Sequence, residues 1–336
     1  MKVPQIDLVR QYRQLKAESK FIQRMERSNI IEQFINGNAL QVKQISPRIH
    51  ICEKTRDFAI YRYCRFLQSI PSTNRIGRQI RALVFDDGQR HSALMGAIGL
   101  ASSIYTLGCR DRYLGWTGSS AKLLKDVGLK CLMDLAVCIA FPPYSLLLGG
   151  KLMALLAMTD PFQIEFQRKY GSPLLGLITT CATGIHCPIF NRIMIRKGGL
   201  YRRIGETKGY TTIFFGPDTL RVARKLVKDI HGTASNQLSF SSKPIRVLRQ
   251  ALKICNIPYE PLLRLGNPKG VYFATLSDEN LISLRTGHCS AAVGSLSVEE
   301  AMNYWKSNIL PKRKYSEKTI ERVRRFRREE LLLSKY

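Results

Sequence analysis

Acidic residues are scarce in this chain. Its 336 residues include 25 Asp and Glu against 53 Lys and Arg, a formal net charge of +28. A surplus of that size makes the chain self-repelling and points to a polyanionic partner. Nucleic acid, DNA or RNA, is the first expectation, and an anionic membrane surface the second. Long apolar runs are missing as well: the best one is broken by Asp134 and by Pro142-Pro143, which excludes a bilayer-spanning segment. The stretch from Met1 to Asp7 has no apolar signal region, so a cytoplasmic location is expected. The nine cysteines are odd in number and follow no framework spacing, as suits reduced thiols. A serine-hydrolase elbow, a dinucleotide fingerprint and a paired-carboxylate nuclease motif are all absent, so no residue is assigned a catalytic role.

What is present centres on the stretch from Phe141 to Leu152. An apolar run ending at Phe141 reads as a buried strand, and Pro142-Pro143 stops it, because neither proline donates to a sheet ladder. Tyr144 follows. Gly149-Gly150 then opens an apolar helix through Met158, and Lys151 adds a charge beside uncovered backbone N–H groups. Tyr144, Gly149, Gly150 and Lys151 are therefore a candidate anion or cofactor site. The spacing is not that of the nucleoside-triphosphatase phosphate loop. The same residues also fit a tight turn whose glycines only let backbones pack closely.

With 45% hydrophobic residues, the chain can bury one large domain or two modest ones. Residues 1–75 read as a basic, mostly helical segment. A mixed α/β (α+β) core is expected over 76–230. It starts with a hairpin, Ile80 to Phe85 and His91 to Ser102, whose turn Asp86-Asp87-Gly88-Gln89 allows a positive φ at Gly88. Gly96 and Gly99 predict a bulge or close backbone approach. In Leu129 to Phe141 every odd position is apolar, as a strand requires. A helix follows from Asp160 to Tyr170, then a strand from Leu174 to Thr180, a short helix over Pro188 to Met194, and strands Tyr201 to Ile204 and Tyr210 to Phe215. The Asp218 to Ile230 helix closes the core. Residues 231–336 form an extension with a helix from Pro244 to Cys255, a strand from Gly270 to Leu276 and a basic helical tail.

Three clusters invite chemistry and have plain alternatives. Cys181, His186 and Cys187 share a loop, yet zinc would need a further ligand at a usual spacing, and nothing orients the imidazole toward a nucleophilic thiol. No metal is expected. Asp86-Asp87 is more simply a hairpin turn than a metal-binding pair. Arg110, Asp111 and Arg112 form an internal ion pair or await a phosphate or carboxylate.

Arg110-Asp111 with Gly115-Trp116, Pro142-Pro143-Tyr144 with Gly149-Gly150-Lys151, Thr179-Thr180 with Gly184, Asn191-Arg192, and Gly205 with Thr207-Lys208-Gly209-Tyr210 occur in that order. This series resembles the motifs of the Druantia anti-phage defence protein A (DruA) family, over about residues 75–225. Lys269-Gly270-Val271-Tyr272 extends it. The resemblance implies a component of a bacterial multi-gene anti-phage system, with other subunits as partners, and supplies no reaction. More distantly, the core resembles the Gcn5-related acyltransferase (GNAT) architecture. There a glycine turn after a strand holds the pyrophosphate of acyl-coenzyme A, a role that would fall to Phe141 through Met158. Leu146-Leu147-Leu148 replace that family's usual loop, and Phe190 stands where a tyrosine general acid is common. The resemblance thus implies a GNAT-like sheet, set here between basic helical segments, with two outcomes left open: acyl-CoA is its ligand, or the fold is kept while coenzyme binding or acyl transfer is lost.

The tail carries Lys312, Arg313 and Lys314, then Arg322, Arg324, Arg325, Arg327 and Arg328. Ile320, Val323 and Phe326 give it an apolar strip, and Glu317 and Glu321 are its only acids before Arg328. These basic residues are the candidate phosphate contacts. The leading expectation is a defence component that binds nucleic acid or a nucleic-acid-bound complex. Alternatives are an acyl- or aminoacyl-transferase using acyl-CoA or charged tRNA, and a scaffold for partner subunits.

Overall fold

A computed structural model describes residues 5–68, 70, 77–181, 184–195, 199–207, 217–231, 244–258, 268–314 and 316–335. The elements run in the order α1 (Gln5–Ala17), α2 (Ser19–Arg27), β1 (Pro47–Ile51), α3 (Thr55–Phe66), β2 (Gln79–Asp86), β3 (Ala93–Ser102), α4 (Gly108–Tyr113), α5 (Ala121–Gly128), β4 (Leu132–Ala140), α6 (Gly149–Leu156), α7 (Asp160–Tyr170), β5 (Gly176–Thr180) and β6 (Tyr201–Glu206). They continue with α8 (Pro217–His231), α9 (Pro244–Ile254), β7 (Gly270–Ala274), α10 (Asp278–Thr286), α11 (Val298–Tyr304), α12 (Pro311–Lys314) and α13 (Glu317–Arg325). Two compact units result. One comprises 1–205 and 270–336, the other 206–269. The compositional divisions at 75 and 230 therefore differ from the units into which the chain packs.

The strands form one seven-stranded sheet in the order β1-β2-β3-β4-β5-β7-β6. β1–β2, β2–β3, β3–β4 and β5–β7 pair antiparallel, and β4–β5 pairs parallel. So β4 and β5 are neighbours, as the strand–helix–strand order predicts. β1 is unexpected: its sequence PRIHI is short and half-polar, and it becomes a strand by pairing Pro47–Ile51 with the edge of β2. The segment Pro188–Met194 is a turn rather than the expected helix. The strand expected at Tyr210–Phe215 lies outside the described residues.

Helices cover both faces of the sheet. One face carries Ile80, Ala82 and Val84 of β2, Met133 and Leu135 of β4, and Leu177 of β5, against Leu152 to Met158 and Phe162. The opposite face divides. At the β2–β3 end, Leu83, Leu94 and Ala97 pack against α2 and α3. At the β5–β7 end, Ile178, Val271 and Phe273 pack against Leu114, Trp116 and Leu284. Each large apolar side chain fully buried in this way contributes about 1.5–3 kcal/mol. β3 is central enough to be approached from both sides. A Cβ at Gly96 would meet Met153 Sδ at 2.3 Å, and one at Gly99 would meet Tyr61 Oη at 2.0 Å.

Two local features depart from expectation. The register between β3 and β4 shifts beside Ala136, and the shift turns Leu135 to one face and Val137 to the other. The even–odd apolar rule therefore holds on each side of the bulge but not across it. At the hairpin, Gly88 is absent from the positive-φ positions. It is needed for close approach, since a Cβ there would lie 1.5 Å from Gln44 O. The turn itself is tied by Asp86, a buried carboxylate. Its Oδ1 accepts from the backbone N–H of Ser46 (2.7 Å) and Gly88 (3.1 Å), and its Oδ2 from Gln89 Nε2 and the Tyr144 hydroxyl (2.9 Å each).

The C-terminal tail is a strap. Val323 and Phe326 are buried and Ile320 half-buried, so the apolar strip does face inward. Gly37 N donates to Phe326 O (3.0 Å), Tyr63 Oη to Leu331 O (3.1 Å), and Leu333 N to Glu26 Oε1 (2.7 Å).

Candidate functional site

The Gly149–Gly150 turn follows the end of β4, beyond the last residues of β4 that pair with β5. β4 and β5 pair from Leu132 with Gly176 to Asp134 with Ile178, and there the ladder stops. Thr179 Oγ1 donates to Leu135 O at 3.0 Å and bridges the last gap, with the Ala136 bulge just beyond. β4 runs on to Ala140, then through Pro142 and Pro143 to Leu148, whose φ of 61° precedes the first turn of α6.

Close packing fills that turn. A Cβ at Gly149 would lie 2.7 Å from Tyr144 O, and one at Gly150 would lie 3.4 Å from Ile189 Cγ1. Trp305 Nε1 donates to Leu148 O at 3.2 Å. Lys151 Nζ donates to Asn191 O, with Ile189 O 3.5 Å away. Burial, with Lys312 and Arg192 nearby, lowers the Lys151 ammonium to about 8. These contacts support a packing role for Gly149, whereas a Cβ at Gly150 would make only an ordinary contact with Ile189. They also leave a partly buried lysine of depressed basicity in the first turn of α6. Tyr144 is buried, and burial together with the Asp86 carboxylate pushes its phenol up, so it serves the hairpin as a hydrogen-bond donor.

The remaining motif residues do not gather here. Arg110 is fully buried on the other face. Its guanidinium donates to Asp111 Oδ1 (2.9 and 2.5 Å), Ser103 Oγ (3.0 Å), Ile104 O (2.6 Å) and Tyr105 O (2.9 Å), and lies 5.3 Å from the centre of the Trp116 ring. Lys125 Nζ meets Asp111 Oδ2 at 2.8 Å, and Trp116 Nε1 donates to Leu284 O at 2.8 Å. Gly115, at φ 72°, ends the turn after α4. This is the internal ion pair, with every arm of the guanidinium occupied. Thr207 acts as a clasp. Its N donates to Lys269 O (2.9 Å) and its Oγ1 accepts from Lys269 N (3.0 Å), which ties the two ends of the 206–269 unit together. Gly205 makes room for Cys109, whose Cβ would lie 2.9 Å from an added Cβ. Thr180 and Arg192 are exposed. Gly209 lies outside the described residues.

Cys187 is buried beside Cys181; hydrogen bonding to that thiol, then burial, pushes its own thiol up, away from a thiolate. His186 is exposed. Among the described residues no group of three His, Cys, Asp or Glu is placed to hold a metal, and no helix is long and apolar enough to cross a membrane.

The tail cations divide by their partners. Arg328 pairs with Glu32 (2.8 Å) and Glu329 (3.3 Å), Arg325 with Glu321, and Arg327 Nη1 donates to Arg324 O (3.1 Å). Glu32, 296 positions from Arg328, is an acid that the local sequence does not reveal as a partner. Lys312, Arg322 and Arg324 are exposed. The side chains of Arg313 and Lys314 lie outside the described residues.

Fold and site together define a strongly basic mixed α/β protein whose parallel strand pair β4–β5 parts after Asp134 and Ile178. The family model of the Druantia protein DruA matches residues 4–253, and the chain belongs to that family. Membership implies a component of a Druantia anti-phage defence system. The Druantia protein DruA of Escherichia coli (strain UMEA 4076-1) is 27% identical over 290 residues, 81% of this chain and 69% of the relative. No solved structure matches the chain.

Proposed function

We propose that this protein is the nucleic-acid-binding component of a Druantia-type defence system and acts with other subunits. The observation that supports this is the unbalanced charge, +28. Part of it stands on the outer side of the strap: Lys318, Arg322 and Arg325 fall within roughly 60° of one another around α13 at 100° per residue, and all are exposed. The Arg325–Glu321 pair there has side chains 76% and 57% exposed, and so offers little resistance to a phosphate that replaces the carboxylate. Absence of a base-reading motif makes backbone contact, with weak sequence preference, the mode. Replacing Lys318, Arg322, Arg324 and Arg325 by Gln is expected to flatten the slope of log K against log salt on duplex DNA. Each phosphate contact removed accounts for about 0.9. An unchanged slope would mean that the tail serves a protein partner or solubility.

A second reading has one observation of its own. β4 and β5 part after Asp134 and Ile178, and β4 runs on without β5 through Cys138, whose Sγ lies 3.9 Å from Gly150 O at the start of α6. A GNAT-type core would place the pantetheine arm of an acyl-coenzyme A in such an opening. The pyrophosphate would then lie near Gly149, Gly150 and Lys151. Calorimetric titration with acetyl-coenzyme A is expected to give heat that Gly150→Asp abolishes, by setting a carboxylate against the backbone amides. No heat at millimolar ligand removes the transferase reading and leaves the DNA-binding one untouched.

A further inference from the structure

The 206–269 unit carries a second basic surface, which the sequence presents only as one helix covering the core and another beyond it. α8 and α9 pack as a hairpin through Ala223, Val227, Val247, Leu248 and Ala251, all buried, with Leu226 and Leu252 beside them. On α8, Arg221, Arg224, Lys225 and Lys228 are exposed and fall within an arc of roughly 100°. That arc lies away from the Ala223–Val227 seam. On α9, Arg246, Arg249 and Lys253 are exposed within roughly 60°, on the side opposite Val247 and Ala251. Each stripe spans about 10 Å at 1.5 Å per residue.

We propose that the α8–α9 hairpin docks on the phosphate backbone of double-stranded DNA; this rests on the nucleic-acid reading above and gives it a second contact surface. Three features favour a duplex. Neither helix contains Phe, Tyr or Trp, and single strands are held largely by stacking on such rings. The stripes consist of Lys and Arg, groups that meet phosphate oxygens as point charges and forks. On α8, Asp218 pairs with Arg221 at 3.0 Å, but both side chains are mostly exposed, at 87% and 79%, and such a pair is worth little in water. Asp229 stands just past Lys228. Val222 and Ile230 are exposed on α8, 64% and 55%, which makes a protein partner the competing occupant.

The test uses the full chain, a 20-base-pair DNA duplex and fluorescence anisotropy across a salt series. The variant replaces Arg221, Arg224, Lys225 and Lys228 by Gln; a companion replaces Arg221 and Arg224 by Lys and keeps the charge. The Gln variant is expected to bind at least tenfold more weakly at 100 mM salt, with a slope shallower by up to about 3.6 units, from about 0.9 for each of the four phosphate contacts. The Lys companion is expected to keep the slope. If the unaltered protein binds and the Gln variant binds equally well, the hairpin proposal is overturned and the tail retains the nucleic-acid reading. If the unaltered protein does not bind duplex DNA at all, both fall. Loss in the Lys companion as well, or tighter binding to an RNA duplex than to DNA, also overturns it. Matching thermal melts of the variants establish that surface charge alone has changed.

Discussion

Lys151 shows how one side chain joins the sequence to the structure. The sequence makes it a cation at a helix start; the structure turns it back onto Asn191 O, partly buried and near Lys312 and Arg192. Its basicity falls from 10.5 to about 8, so in the interval between these values the unfolded chain keeps a proton that the folded chain has released. Stability linked to this group therefore rises with pH through that window. Urea unfolding of the protein and of Lys151→Met at pH 7.5, 9 and 10 is expected to show the protein gaining on the variant as pH rises. Parallel pH curves would show that the amine titrates as if in water. Burial of this kind is not legible in the sequence, because the partner is a backbone carbonyl 40 positions away. Arg110 is more legible, since its carboxylate partner is its immediate neighbour in the chain. Its three other hydrogen bonds, to Ser103, Ile104 and Tyr105, come from how the preceding loop folds round it.

Among elements, the strands most readable from sequence are those with dense apolar patterns, β2, β3, β4 and β7. β1 is hidden because an edge strand with Arg48 and His50 needs only one apolar face, and five residues give too short a period to detect. The Ala136 bulge is hidden because both faces of β4 are covered, so apolar residues occur on either side and do not reveal which face each one meets. α13 is legible as amphipathic, but its destination is not. Phe326 closes against the region around Gly37, where a Cβ at position 37 would lie 3.3 Å from Phe326 Cβ and 1.6 Å from Val323 O. Phe326→Ala is expected to lower stability by about 3–5 kcal/mol, the usual result for a buried Phe. Hydrogen exchange should rise first in α2 and at Leu331 to Leu333. If exchange rises evenly across the sheet instead, the strap is not a separable lock.

At the scale of the molecule, one hydrophobic face of the sheet is built almost wholly from residues 80 to 310, whereas the cluster on α2 and α3 also draws on Phe326, Leu331 and Leu333. The buried cation Arg110 is matched by Asp111, and part of the surplus charge stands on the strap and on the α8–α9 hairpin. That distribution is only half visible in the sequence. Total charge is additive and can be counted. Which cations are matched internally depends on acids brought from far along the chain, as Glu32 is to Arg328.

The strap also sets a timetable. Leu333 bonds to Glu26 across 307 positions. At a synthesis rate of about 5–20 residues per second, the ribosome delivers the second of these on the order of 15–60 s after the first. Throughout that interval Phe21, Ile22 and Met25 stand ready on α2 without the strap's share of their cover. The sheet can condense while the chain is still growing, but this corner is finished last. A newborn chain therefore carries these apolar side chains without that cover for tens of seconds, until the strap closes.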